Sequence, residues 1–105
     1  MKRCSCVIKV FPEKLEYCKL LHANPWPEVT EAITACRIRN FSIFCREGYL
    51  FSYYEYVGND YAQDMEKLAA LTRHWLRETD QCQQPINTAN PGEWWSEMTE
   101  LFHHE

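Results

Sequence analysis

Several absences narrow this sequence before anything in it is interpreted. No apolar run approaches the roughly 18 residues of a membrane-spanning helix, and Met1-Lys2-Arg3 leads into a stretch broken by Ser5 and Lys9 rather than into the apolar core of a secretory signal. The expectation is a cytoplasmic protein with no membrane partner. There is no basic stripe. Eleven Lys and Arg are scattered among 15 Asp and Glu for a net charge of -4, which argues against a nucleic-acid face or an anionic membrane and favours a neutral ligand. No repeat or low-complexity tract interrupts the chain. Six cysteines are present without a Cys-x-x-Cys pair, and the first histidine after Cys4 and Cys6 is His22, so the spacing fits no common zinc pattern and no metal is expected.

What is present suits one domain spanning residues 1–105. The length is near the usual domain size, and 46% hydrophobic residues, with four Trp, six Tyr and five Phe, supply one modest core. Cys18 and Cys36 fall on apolar helix positions, where a free cysteine acts as a small hydrophobe. The cysteines are read as reduced and mostly structural.

The chain is organised around His22-Ala23-Asn24-Pro25-Trp26-Pro27-Glu28. Both prolines lack an amide donor and push Asn24 and Trp26 away from helical torsions, so a helix running roughly from Glu13 to Leu21 must end near His22. Pro27 suits the first turn of a second helix that reaches about Cys36, with Glu28 beside its partly positive end. Upstream, Arg3 to Phe11 alternates, with Cys4, Cys6, Ile8 and Val10 on one face. Arg39 to Cys45 alternates again, Glu47-Gly48 marks a turn, and the aromatic, β-branched run Tyr49 to Val57 pairs back as a hairpin. Asp60 caps a helix through Tyr61, Met65, Leu68 and Ala69. Thr72 restarts a turn carrying Trp75 and Leu76, Gln81 to Gly92 reads as loop, and Trp94 to His103 as a closing strand. The order β, broken α, β, β, α, β is that of a ferredoxin-like α+β sandwich. Its uncovered sheet face needs a partner, and closure against a second copy gives a dimeric α+β barrel.

Several side chains offer chemistry. His22 gives and takes protons near neutrality, imidazole having an ordinary pKa of about 6.5; the bland alternative is a cap on the first helix. Trp26 and Trp75 offer flat apolar faces to a ligand, or belong to the core. Glu55 shares a strand face with Phe51, Tyr53 and Val57, and a carboxylate in apolar company needs a partner or a task, here as hydroxyl acceptor or complementary base. Gln84 carries an amide donor and acceptor, and His103 lies near the end of the final strand.

The corner string, Glu16-Tyr17 before it, Asn40-Phe41-Ser42-Ile43-Phe44, Leu50-Phe51 with Glu55, Trp75, Gln83-Gln84-Pro85, Pro91-Gly92-Glu93-Trp94 and Glu100-Leu101-Phe102-His103 together resemble the L-rhamnose mutarotase family, with the later motifs similar to its L-fucose-type branch. The resemblance implies a homodimer that interconverts the anomers of a 6-deoxy-L-hexose without a cofactor. It makes His22 the acid and Trp75 a ligand contact. Relatives carry a ligand tyrosine four residues before the histidine, where this chain has Cys18, with Tyr17 one place earlier; a second tyrosine position holds Phe41. Two other readings stand beside it: a sugar-binding module without turnover, and an oxygenase or haem protein of the same fold, using His22 or His74.

Overall fold

The computed structural model describes residues 1–105. Strand β1 (Lys2–Val10) runs through the middle of the sheet, and Pro12 ends it by opening a single 3-10 turn, Pro12–Lys14, that leads into α1 (Leu15–Ala23). The corner then behaves as its two prolines require. Trp26 is extended at φ -70°, ψ 141°, and Pro27 occupies the first turn of α2 (Pro27–Ala35).

Next come β2 (Ile38–Arg46) and β3 (Tyr49–Tyr56), joined by Glu47-Gly48. Both turn residues have positive φ, 53° and 81°, the pair of left-handed torsions that twists a two-residue hairpin loop in step with its strands. Helix α3 (Tyr61–Leu71) starts where Asp60 accepts a hydrogen bond from the Gln63 amide at 3.2 Å, and α4 (Arg73–Asp80) follows after Thr72.

The sheet is antiparallel in the order β2-β3-β1-β4, the order of the ferredoxin-like class. Two expectations need correction at its far edge. The stretch Gln81 to Gly92 is not all loop, because Gln83–Gln84 forms a short strand, β4, against Lys9 and Val10 before Pro85 removes the next donor. Trp94 to His103 is not a strand throughout. Only Ser96–Glu97, β5, pairs with Cys6 and Val7, after which the Met98 amide bonds the Ser5 carbonyl and the tail leaves the sheet. Its alternation fails there: Leu101 and Phe102 are adjacent and both exposed.

Pairing fixes which side chains share a face. Cys4, Cys6, Ile8 and Val10 stand opposite Tyr54, Ser52, Leu50 and, on β4, Gln83, all on the helix-covered side. Ile8, Val10, Cys18, Leu50 and Cys82 form the centre of the core, with Leu15, Leu21, Ile43 and Trp95 against it. The other face carries a cross-strand row, Phe44–Phe51–Val7, with Tyr53 beside it. No helix is long and apolar enough to cross a membrane.

Candidate functional site

His22 lies in the last turn of α1, with Nδ1 2.8 Å from the Cys18 carbonyl oxygen one turn back. A carbonyl only accepts, so Nδ1 carries the hydrogen and the neutral ring is left with its lone pair on Nε2. Capping of the helix falls to Asn24 instead: its amide bonds the Leu21 carbonyl and its side chain the Leu20 carbonyl, each at 3.2 Å. The imidazole is therefore oriented by its own helix while its second nitrogen stays free.

An aromatic ladder sets its surroundings. The His22 ring meets Trp75 of α4 edge-on, centroids 5.8 Å apart and planes at 77°, and Trp75 meets Trp26 in the same manner at 5.2 Å and 78°. Two cavities share His22, Trp75, Phe41 and Ile43. One, about 470 Å³, opens between α2 and β2 and reaches Arg39 and Asn40; the other, about 270 Å³, lies between the sheet and helices α1 and α4. The larger falls within the usual range for a small-molecule site, about 300–1,000 Å³, and the smaller lies just below it.

The smaller cavity is walled by Phe41, Tyr54 and Trp95 and dotted with polar groups: Cys6, Ser52, Thr79 and Gln83. Phe41 stacks on Tyr54 with ring centroids 5.3 Å apart. Burial pushes the Cys6 thiol up to about 11, so it is no nucleophile at neutral pH. Burial and the hydrogen bond to Tyr61 likewise raise Tyr54 well above the ordinary phenol range. Among the residues lining the two cavities, His22 is the one whose side-chain type exchanges protons near neutrality.

The residues singled out from sequence do not all assemble here. His22, Trp75 and Phe41 line both cavities, and Trp26 supports Trp75 from behind. Tyr17 is exposed, and its hydroxyl donates to Glu78, tying α1 to α4; that bond raises the phenol above its usual range. Glu55 lies on the other face of the sheet. It accepts from Asn40 Nδ2 and from the Tyr53 hydroxyl, each at 2.7 Å, and these bonds hold it below the usual carboxylate range. Its one link to the His22 region is Asn40, which sits at a bulge in β2 with φ 53° and lines the larger cavity. Gln84 pairs with Lys9 and so faces away from the helices, whereas Gln83, opposite Val10, faces the smaller cavity. His103 belongs to a separate cleft formed by the tail against Arg3, Ser5 and Tyr53. His74 is exposed on α4.

Sequence reasoning passed over Gln83, Tyr54 and Asn40. Strand parity held the signal for Tyr54, which alternates with Ser52 and Tyr56. Nothing local distinguished Gln83 from Gln84, because a one-residue register decides between them.

Comparison with known proteins agrees with this architecture. The description of L-rhamnose mutarotase attaches to a family model that matches residues 3–104. An L-rhamnose mutarotase of Bacillus subtilis (strain 168) is 32% identical over 104 residues, covering 97% of this chain and 81% of the relative. One of Shouchella clausii (strain KSM-K16) is 30% identical over 94 residues, 83% of this chain and 90% of the relative. Among solved structures, an L-rhamnose mutarotase from Formosa agariphila superposes with a TM-score of 0.73 at 21% identity, covering all of both chains. The tetracenomycin F2 cyclase of Streptomyces glaucescens, a type-II polyketide cyclase, gives 0.66 at 15%, covering 100% of this chain and 98% of the other. At these identities the two structures bear on fold alone, the α+β half-barrel of the dimeric α+β barrel class.

Proposed function

The chain belongs to the L-rhamnose mutarotase family, and from that premise we propose that it interconverts the α and β anomers of a 6-deoxy-L-hexose, L-rhamnose first and L-fucose second, by proton transfer through His22. The observation that carries the reading is the Nδ1 bond to Cys18, which leaves Nε2 with its lone pair on a ring that borders both cavities.

Mutarotation asks little of a protein. Nε2 takes the proton from the anomeric hydroxyl, and the imidazolium returns a proton to the ring oxygen as the C1–O5 bond breaks, giving the open aldehyde. Both oxygens hang on C1, so one nitrogen serves each in turn. Rotation about C1–C2 then presents the other carbonyl face. O5 re-adds to C1, its proton returns to Nε2, and Nε2 protonates O1, so that no proton is gained or lost overall. The Cys18 carbonyl fixes the tautomer and orientation of the ring, and Trp75 packs against it with ring centroids 5.8 Å apart. Trp75 and Phe41 supply flat apolar walls for the C–H face of the sugar, and Val29, Ile33 and Ile43 an apolar corner for a 6-methyl group. Glu55 acts from outside the site, holding Asn40 at the rim.

The rest of the reading concerns assembly. Residues 1–105 are one domain, and two copies pair through the sheet face bearing Phe44 and Phe51; Phe44 is 65% exposed. Six unpaired thiols suit a reducing, cytoplasmic compartment. Polarimetry of freshly dissolved crystalline α-L-rhamnose and α-L-fucose tests the activity. The optical rotation is expected to relax faster with protein than in buffer, more so for L-rhamnose. Equal relaxation with and without protein for both sugars would reduce the reading to a sugar-binding module.

A further inference from the structure

Gln83 is only 2% exposed, and its Oε1 has no hydrogen-bond partner. A buried amide oxygen left unpaired costs free energy. Its position is nevertheless well determined. β4 is only two residues long, pinned to Lys9 and Val10, and followed by Pro85; within it Gln83 is the residue turned to the helix side. The side chain borders the smaller cavity, which it shares with His22 and Trp75. Three other polar side chains on that wall are already engaged. Thr79 donates to the Leu76 carbonyl at 3.3 Å, Ser52 to the Cys6 carbonyl at 3.5 Å, and the Tyr54 hydroxyl is paired with that of Tyr61.

We propose that the Gln83 carboxamide is a specificity-determining contact of the sugar site, binding one ring hydroxyl of a pyranose seated against His22 and Trp75. The assignment rests on the mutarotase reading for the identity of the sugar, but not on turnover. A ring hydroxyl both donates and accepts, so it satisfies the amide in either orientation of its oxygen and nitrogen. A site that keeps a buried polar atom for one hydroxyl also rejects the analogue lacking it, because the atom is then left unpaired in the complex. An exposed residue at the same place would discriminate little, water replacing the lost bond.

The test uses Gln83→Met, similar in shape but without the amide, and Gln83→Leu as a second variant should the first fold poorly. Anomer exchange and sugar binding are both followed by NMR for L-rhamnose and its 2-, 3- and 4-deoxy analogues. Wild type is expected to bind one of the three analogues at least about tenfold more weakly than L-rhamnose. In the variants KM for L-rhamnose rises by a similar factor, kcat changes less, and the selectivity against that one analogue disappears. The melting temperature of the unliganded variants stays level or rises, since a buried unpaired polar atom has been removed. A purely structural glutamine would give the reverse: lower melting temperature and equal losses on all four sugars. That result, or variants that keep wild-type selectivity, overturns the assignment while leaving the mutarotase reading intact. Selective binding that depends on Gln83 without faster anomer exchange would sustain the assignment and overturn the mutarotase reading. Wild type that neither binds nor exchanges any of the four sugars overturns both.

Discussion

At the residue scale, two carboxamides, Gln83 and Asn40, and two titratable side chains, His22 and Glu55, define the site and its support. His22 could be picked out from sequence because a histidine beside two prolines at a helix junction is held by local torsions alone, and the structure keeps it there. Glu55 illustrates the limit of such reading. Parity on β3 correctly grouped it with Phe51 and Tyr53, but alternation says which residues share a face, not which face the helices cover. On a strand aromatic on both sides, either assignment is open, and here Glu55 falls on the far side, bonded to Asn40 and Tyr53. Those bonds depress its carboxyl, giving a definite sign to its pH dependence. With a folded-state pKa below the unfolded value of about 4.3, its stabilising effect is complete above that value and is lost as pH falls through the folded one. The melting-temperature advantage of wild type over Glu55→Gln is therefore expected to be largest at neutral pH and to shrink as pH drops below about 4. A gap that widens on acidification would show the carboxyl to be destabilised in the fold. If Glu55 is a positioning residue, the same variant keeps most of its anomer-exchange rate at pH 7.

At the scale of elements, the sequence was most legible where a single residue type decides torsion. Pro12, Pro25 and Pro27 set the ends of β1, α1 and α2, Glu47-Gly48 set the hairpin, and Asp60 set the start of α3. The far edge was not legible, since β4 and β5 are two residues each and owe their existence to pairing with β1 rather than to any pattern of their own. The Asp60 cap gives the cleanest element-level prediction. α3 buries no residue fully and packs through the half-buried Tyr61, Met65 and Leu68, so its first turn depends on the cap as well as on packing. Asp60→Ala is expected to cost about 1 kcal/mol, lowering the melting temperature by roughly 4–8 °C, with KM for L-rhamnose unchanged because α3 borders neither His22 cavity. A variant as stable as wild type would mean that the Gln63 amide finds another acceptor.

At the scale of the whole molecule, one face of the sheet explains more than its own packing. Only 17 of 105 residues are buried in the isolated chain, and the row Phe44–Phe51–Val7 lies across the side without helices. The uncovered side was foreseen from element order, and alternation grouped Ser42 with Phe44 and Phe51 with Tyr53, but it could not say which of the two faces the helices leave open. If that face joins two copies, light scattering should report about twice the 12.6 kDa chain mass. Phe44→Glu, which places a charge in the seam, should shift the protein toward monomer at micromolar concentration. A wild-type mass of one chain at all concentrations would contradict the dimer without touching the site.

The catalytic claim for the whole assembly is tested most directly by NMR saturation transfer between the α and β anomeric protons of L-rhamnose, comparing wild type with His22→Ala. The account predicts rapid transfer with wild type and a rate about 10²–10⁴-fold lower with the variant, its fold unchanged by circular dichroism. Transfer at the wild-type rate in a folded His22→Ala protein would contradict it.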